Sequence, residues 1–364
     1  MSTVEEQIAE IEKEIAKTQK NKATEHHIGS LYGKIAKLKD LAEKKRSQGG
    51  ASGAGYFIKK SGNATIALVG FPSVGKSTLI NKLTNAKSEV AAYEFTTITA
   101  IPGMMIYKDA KLQIIDLPGI IDEASKGRGK GTEVLGAARN ADLIVIILEA
   151  KKLDKLSIIK KELYNAGIRL DVKPPKVIFK KTPKGGINIQ STYELTNISE
   201  EMIKEIMRQY GVVNSEVIIR EDVSINDFID ALLENRHYCP SLIAINKCDE
   251  LGKQELIDLK KKFPSAILIS ADKNMGLEKL KEDIFEKTRI IRIYLKPKGK
   301  EADMKNALIM HKGDTVYDLA LKLHKDFVQY FKYSQVWGKS AKFPGQKLGL
   351  KHELMDNDIV TIAI

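Results

Sequence analysis

The run Gly70-Phe71-Pro72-Ser73-Val74-Gly75-Lys76-Ser77 constrains the fold more than any other part of this chain. It reads G-x-x-x-x-G-K-S. An apolar strand pattern, Ile66 to Val69, precedes it, and a helical pattern through Leu79, Ile80 and Leu83 follows it. Strand, glycine loop and helix in that order form a phosphate cradle. Glycine lets successive backbone N–H groups turn inward around phosphate oxygens. The first turn of the following helix adds partial positive charge. In such a cradle Lys76 would reach the β- and γ-phosphates and Ser77 would hold Mg²⁺. Phe71, Pro72, Ser73, Val74, Gly75 and Thr78 complete the expected phosphate-binding set.

A second motif selects the base. Asn246-Lys247-Cys248-Asp249 follows the short apolar strand Leu242 to Ile245. The Asp249 carboxylate can accept both guanine N1–H and N2–H₂, whereas adenine offers neither donor. Asn246 would secure the base edge and the loop, and the stem of Lys247 would cover the ring face. Ser270-Ala271, after the apolar stretch Ala266 to Ile269, fits a loop whose backbone N–H meets guanine O6. This base set argues against a metabolic kinase built on the same phosphate cradle.

Between the two motifs lies Asp116-Leu117-Pro118-Gly119, at the end of strand Leu112 to Ile115. Asp116 would act on Mg²⁺ through water, and the Gly119 N–H would sense the γ-phosphate. Upstream, Glu94-Phe95-Thr96-Thr97 fits a segment in which a threonine hydroxyl ligates Mg²⁺, with Thr97 favoured over Thr96. The expected catalytic set is Lys76, Thr97 and Gly119. The expected metal set is Ser77, Thr97 and, through water, Asp116.

Composition bounds the rest. The chain has 364 residues, enough for two or three domains. Hydrophobic residues make up 43% and charged residues 29%, which suits a globular protein. No apolar run approaches the ~20 residues of a membrane span, so no membrane partner is expected. The acidic, helical start from Met1 to Glu14 does not read as a signal peptide. Cys239 and Cys248 have no ligand-spaced partners, which argues against a disulfide framework or a zinc site and for a reducing cytoplasm. The formal net charge of +12 points to a polyanionic partner, RNA above all, with no sequence-specific DNA recognition. A generic Lys/Glu-rich surface is the competing reading.

The fold expected is α/β, with five segments. Residues 1–62 hold a helical hairpin and a Gly-rich linker. In the hairpin, Ile8, Ile11 and Ile15, then Ile28, Leu31, Ile35 and Leu38, fall at helical spacing, with a bend around Ala23 to Gly29. Gln48 to Gly55 reads as the linker. Residues 63–166 and 238–289 form a nucleotide-binding domain with strands near 65–69, 101–107, 111–116 and 142–148. Asp142 to Leu148 is a continuous apolar run, as in strands buried on both faces. Residues 167–237 read as an inserted α+β module, with strands Val177 to Lys180 and Glu216 to Arg220 and helices near 199–210 and 224–234. Its balance is neutral to slightly acidic, which favours protein docking or structural support over RNA. Residues 290–364 resemble a ubiquitin-like β-grasp, with strand Ile291 to Leu295, a helix from Thr315 to about Phe327 and a closing strand from Asp358. This last segment carries Lys332, Tyr333, Trp337, Lys339, Lys342, Phe343 and Lys347. Aromatics and lysines in that mixture fit RNA, whose bases stack while its phosphates are neutralised. The competing reading places the aromatics in the core.

With these parts in order, the chain resembles the developmentally regulated GTP-binding protein family, within the Obg-like group of P-loop GTPases. The marks are the Gly70 to Ser77 loop, Phe95-Thr96-Thr97, Asp116-Leu117-Pro118-Gly119-Ile120-Ile121 and Gly127-Arg128-Gly129-Lys130-Gly131. His324-Lys325-Asp326-Phe327 and Val336-Trp337-Gly338-Lys339-Ser340 add to them. The resemblance implies a G domain, a helical hairpin, an inserted ribosomal-protein-like module and a C-terminal TGS domain. It also implies a cytoplasmic, translation-associated GTPase that binds GTP and GDP with Mg²⁺ and engages ribosomes or RNA. In eukaryotes such GTPases have a dedicated regulatory protein partner. Related GTPases use K⁺ near the phosphates, which makes potassium a candidate activator. Many of those carry Asn where this chain has Ser73, and a hydroxyl is a weaker ligand than an amide carbonyl. Ras-like enzymes place a water-orienting Gln directly after the DxxG glycine, where this chain has Ile120. Slow intrinsic hydrolysis, raised by a partner, is the expectation. The other function class is a nucleotide-gated scaffold for protein partners, with incidental hydrolysis.

Overall fold

The computed structural model describes residues 4–19, 21, 24–48, 60–84, 102–117 and 138–364. The Gly-rich run after Gln48, the Thr96-Thr97 pair, Pro118 to Ile121 and the 127–131 run lie outside the described residues. In chain order the elements begin with helices α1 (Val4–Lys17) and α2 (Glu25–Gln48). Next come β1 (Ala64–Val69), α3 (Lys76–Leu83), β2 (Pro102–Tyr107), β3 (Ala110–Asp116), β4 (Leu143–Glu149) and α4 (Lys155–Asn165). Then follow β5 (Ile168–Leu170), β6 (Val177–Lys181), β7 (Ile187–Ser191), α5 (Glu200–Gln209), β8 (Ser215–Ile219), α6 (Ile225–Leu233) and β9 (His237–Cys239). The remainder is β10 (Ser241–Asn246), α7 (Lys253–Lys262), β11 (Ile267–Leu268), α8 (Leu277–Lys287), β12 (Ile290–Leu295), β13 (Leu308–His311), α9 (Val316–Leu323), α10 (Lys325–Gln329), β14 (Tyr333–Trp337), β15 (Gln346–Leu348) and β16 (Asp358–Ala363). These elements group into two compact units: the described residues of 1–55, 123–139 and 161–239, and those of 56–122, 140–160 and 240–364.

In the second unit, six strands form a sheet in the order β11-β10-β4-β1-β3-β2. All neighbours are parallel except β2, which runs antiparallel to β3. Strands β1 and β4 lie inside the sheet, and every residue of β1 is buried. That explains their mainly apolar sequences, since a strand covered on both faces leaves little room for polar residues. Each fully buried Ile or Leu side chain there contributes roughly 1.5–3 kcal/mol. The chain leaves β1 toward β3 and later returns to β4 on its other side. The C-terminal end of β1 is thus a topological switch point, where open α/β sheets bind ligands.

The β-grasp follows in the same unit. Its sheet runs β13-β12-β16-β14-β15, with β12 and β16 parallel. Ile291, Ile293, Val336 and Val360 meet Val316 and Leu319 of α9 in a separate core. The helix expected to run from Thr315 to Phe327 breaks at His324, whose extended backbone ends α9 and starts α10. The ring Nδ1 of His324 accepts from the Asp326 N–H, and this local side-chain bond competes with helix continuation. Ile290 and Ile309 join the core of the large sheet instead. At this junction the β2–β3 turn reaches α8: Tyr107 donates to Glu282 (3.0 Å), and its ring meets Phe285 edge-on at 6.0 Å.

In the first unit, β6-β8-β7 form a sheet covered by α5 and α6 around Ile203, Ile206, Val217 and Phe228. Ser199 caps α5, and Ser224 with Asp227 makes a capping box on α6. Buried Arg169 pairs with Asp230, which Arg236 also contacts at 2.8 Å.

The hairpin differs from the sequence expectation in one respect. Between α1 and α2, Asn21 and Thr24 bond each other's backbone, and Gly29 sits inside α2. Gly29 and Gly33 are there for close packing. A Cβ on Gly29 would stand 3.0 Å from Met202 Cα, and one on Gly33 would stand 2.9 Å from Gln209 Cγ. Gln209 then donates to Ser30, and Lys37 donates to the Gln209 carbonyl.

Candidate functional site

The phosphate loop begins where β1 ends. Gly70 lies so close to β4 that a Cβ would stand 2.6 Å from the Ile147 carbonyl. The loop turns through left-handed backbone at Ser73 (φ 62°) and Gly75 (φ 92°). Such reversals aim successive N–H groups into one concavity. Gly75 then caps α3, and the Leu79 N–H bonds its carbonyl. Phe71 is half-buried, with the Lys155 ammonium 4.1 Å above its ring. Pro72 and Ser73 are exposed at the tip, Val74 is buried in the core, and Thr78 is half-buried behind Ser77. Lys76 is buried, and its Nζ donates to the carbonyls of Gly70 (3.0 Å) and Phe71 (3.2 Å). The ammonium is therefore held inside the loop by the loop's own backbone.

Asp116 closes β3, the neighbour of β1. Its Oδ1 is buried without a hydrogen-bond partner. Burial raises its pKa, opposed by the nearby Lys76 charge and a hydrogen bond from Ser77. A half-buried carboxylate beside a hydroxyl, with one oxygen unsatisfied, is the donor chemistry a hydrated Mg²⁺ suits.

The base-reading residues close β10 and β11. Asn246 is buried and bridges two loops: its Nδ2 donates to the Val74 carbonyl (2.9 Å), and its Oδ1 accepts from the Ala271 N–H (2.9 Å). A Cβ on Gly75 would fall 2.3 Å from that Nδ2. Phosphate loop and base loop are thus interlocked through one side chain. Lys247 stands in left-handed backbone (φ 63°), and its Nζ lies 3.6 Å from Glu149 at the end of β4. Asp249 is exposed, and the Ser270 hydroxyl donating to it lowers its pKa, so it stands as an ionised acceptor. Ser270 itself is buried and fixed by paired backbone bonds with Met275. Cys239 and Cys248 are both buried and not joined in a disulfide, and burial raises the pKa of Cys248.

The structure therefore brings Lys76, Ser77 and Asp116 together on one side and Asn246, Asp249, Ser270 and Ala271 on the other, at the C-terminal ends of neighbouring strands. Of the backbone N–H groups in the Ser270-Ala271 loop, expected to meet guanine O6, that of Ala271 is given to Asn246. Thr97 and Gly119 lie outside the described residues. The sequence reading missed Glu149, which grips both Lys247 and Lys152 (2.9 Å). The available signal was position, because Glu149 ends a strand between the two that carry Val69 and Asn246.

The strand order, the glycine loop and the guanine-type base loop define a P-loop GTPase. Residues 65–181 match the family model described as 50S ribosome-binding GTPase, 184–290 the C-terminal region of that domain, and 291–364 the TGS domain. The chain belongs to the developmentally regulated GTP-binding protein family. It is 45% identical to developmentally regulated G-protein 3 of Arabidopsis thaliana, over all of this chain and 99% of that protein. It is 42% identical to human developmentally regulated GTP-binding protein 2, over 98% of each. An uncharacterized GTP-binding protein of Methanocaldococcus jannaschii is 53% identical, over 99% of this chain and 93% of that protein. Among the described residues, no helix is long and apolar enough to cross a membrane.

Proposed function

We propose that this GTPase is a switch that associates with ribosomes or RNA and takes part in translation in the cytoplasm. Intrinsic hydrolysis is slow on this reading, and a partner raises it. The observation that carries the reading is the formal net charge of +12 on a chain whose G domain matches a model described as ribosome-binding. A surplus of cations suits a polyphosphate partner.

At the site, Lys76 would turn from the loop carbonyls to the β- and γ-phosphates, and the Gly119 N–H would meet the γ-phosphate. Asp249 would accept both guanine donors, while Asn246 and Ala271, held by each other, would position the base edge. Ser77, Thr97 and, through water, Asp116 would hold Mg²⁺, which neutralises charge on the phosphates when bound. Attack by water on the γ-phosphorus breaks its bond to the bridging oxygen, and the charge moves toward the diphosphate that Lys76 faces. Ile120 offers no hydrogen bond to that water, so its orientation falls to backbone groups, a partner or a monovalent cation such as K⁺. A regulatory protein could supply the missing group.

Asp116 makes this testable without a partner. Its folded pKa is raised, so the native state holds a proton more tightly than the unfolded chain does. That contribution is present below the ordinary carboxyl value and is lost as pH rises through the raised one. At neutral pH the ionised, desolvated carboxylate costs stability. Asp116→Asn should raise the melting temperature of the nucleotide-free protein and weaken the Mg²⁺ dependence of GTP affinity, which Ser77 and Thr97 would still support. An unchanged Mg²⁺ dependence would remove Asp116 from the metal site.

The functional reading is tested by sedimenting the protein with ribosomes in the presence of GDP or a non-hydrolysable GTP analogue, across a salt series. Binding should depend on the nucleotide and fall steeply with salt. Salt-insensitive binding to other proteins, with ribosomes ignored in both states, would favour the scaffold.

A further inference from the structure

We propose that the open face of the TGS sheet, centred on Tyr333, Gln335 and Trp337, is a binding strip for single-stranded RNA. This deepens, and rests on, the RNA-associated reading above. Strand β14 alternates strictly: Ser334 and Val336 are buried, while Tyr333, Gln335 and Trp337 are half-exposed. Val336 belongs to the core under α9, so the other three stand on the opposite face. The aromatics are therefore not core residues. Their neighbours on that face are Ala363, Thr361 and Ile359 across the β16 pairing and Lys347 across the β15 pairing; Thr361 is buried, as is Tyr294 beyond Ile359, so the open part of the face lies on the β14–β15 side.

The lysines are placed as a nucleic-acid strip needs. Lys347 Nζ lies 4.6 Å from the Tyr333 ring centre, and Lys296 Nζ lies 4.6 Å from that of Trp337. Each ammonium occupies the position over the ring that a stacked base would take. Base stacking outweighs an exposed cation–aromatic contact, so a base displaces the ammonium, which then stands beside the phosphate. Between the two rings, the Gln335 amide offers a donor and an acceptor to a base edge. A sheet whose outward aromatics stack two or three bases is an established way to read single strands.

Four carboxylates of this domain are committed elsewhere. Asp314 and Asp318 bond backbone N–H groups at the turn and helix start after β13. Asp358 is buried and bonds the Met355 and Ser340 N–H groups. Asp356 is committed to Arg292 at 2.8 Å. Phe343, in the segment joining β14 to β15, is 60% exposed.

Trp337 is the single tryptophan of the chain and so reports on its own site. The test titrates full-length protein with a 12-mer oligouridylate, reading Trp337 emission and, separately, the anisotropy of a labelled copy. The strip predicts quenching on binding. Tyr333→Leu and Trp337→Leu should each weaken binding roughly ten-fold, whereas Trp337→Phe should hold it within about two-fold, which separates stacking from a structural role. Lys296→Gln and Lys347→Gln should each lower the slope of log affinity against log salt by about 0.7. GTP turnover without RNA should stay unchanged in all five. RNA binding that all five variants retain would overturn the strip while leaving RNA association standing. Absence of RNA binding, together with absence of ribosome sedimentation, would overturn both. Equal quenching by heparin or polyglutamate would show a site for acidic polymers, and the proposal would fall.

Discussion

Asp249→Asn is expected to lower GTP affinity roughly 10⁴-fold while creating affinity for xanthosine triphosphate. Guanine presents two donors, N1–H and N2–H₂, and the carboxylate presents two acceptors. Asparagine keeps one acceptor and sets its own NH₂ against the guanine amine, leaving two donors opposed. Xanthine carries a carbonyl at that carbon, which restores the pairing. The Ser270 hydroxyl that donates to Asp249 can keep donating to the asparagine carbonyl, and the side chain is exposed, so the fold should be indifferent to the change. Competition of GTP and xanthosine triphosphate for a fluorescent nucleotide reads the result. GTP affinity within a few-fold of wild type would remove Asp249 from base recognition.

Gly75→Ala carries the second large effect. Gly75 combines a left-handed backbone with a neighbour, Asn246 Nδ2, only 2.3 Å from where the Cβ would fall. The backbone term alone costs about 1–2 kcal/mol. Displacing Asn246 also strands the Val74 carbonyl and the Ala271 N–H, at about 1–3 kcal/mol for each buried group left unpaired. The expected sum is about 3–8 kcal/mol of stability, together with loss of measurable GTP binding. Gly185 supplies the control: its φ is +110° with nothing within 4 Å of the added Cβ. Gly185→Ala should cost only the backbone term and leave nucleotide binding intact. Denaturant melts of both variants, and of Gly75→Ala combined with Asn246→Ala, separate strain from collision. Equal costs at the two glycines would show that Asn246 does not wedge the loop.

Why these effects could be foreseen is a matter of scale. The phosphate loop, Asp116 and the Asn246 to Asp249 loop are written in consecutive residues, because each is a local backbone conformation at a strand end. Their order along the chain then dictates a parallel sheet with those ends on one edge. What was not legible depends on residues far apart in sequence. Gly29 looked like a bend because glycine favours turns, yet its neighbour is Met202 on a helix of the inserted module. Strand β7 was missed because Ile187 to Ser191 is short and edge-exposed, and its pairing with β8 supplies the order. The outward face of Trp337 was likewise open, since alternation shows that two faces exist and only the sheet shows which one α9 covers. Glu149 emerges as a site neighbour only once β4 is seen between β1 and β10.

The most direct measurement is multiple-turnover GTP hydrolysis at fixed Mg²⁺, with and without purified ribosomes, for the wild-type chain and Lys76→Ala. The account predicts slow turnover alone, a rise of at least about ten-fold with ribosomes, and no rise in the variant, since the acceleration must act through the phosphate loop. Turnover that ribosomes leave unchanged, in protein that still binds GTP, would contradict a ribosome-coupled switch.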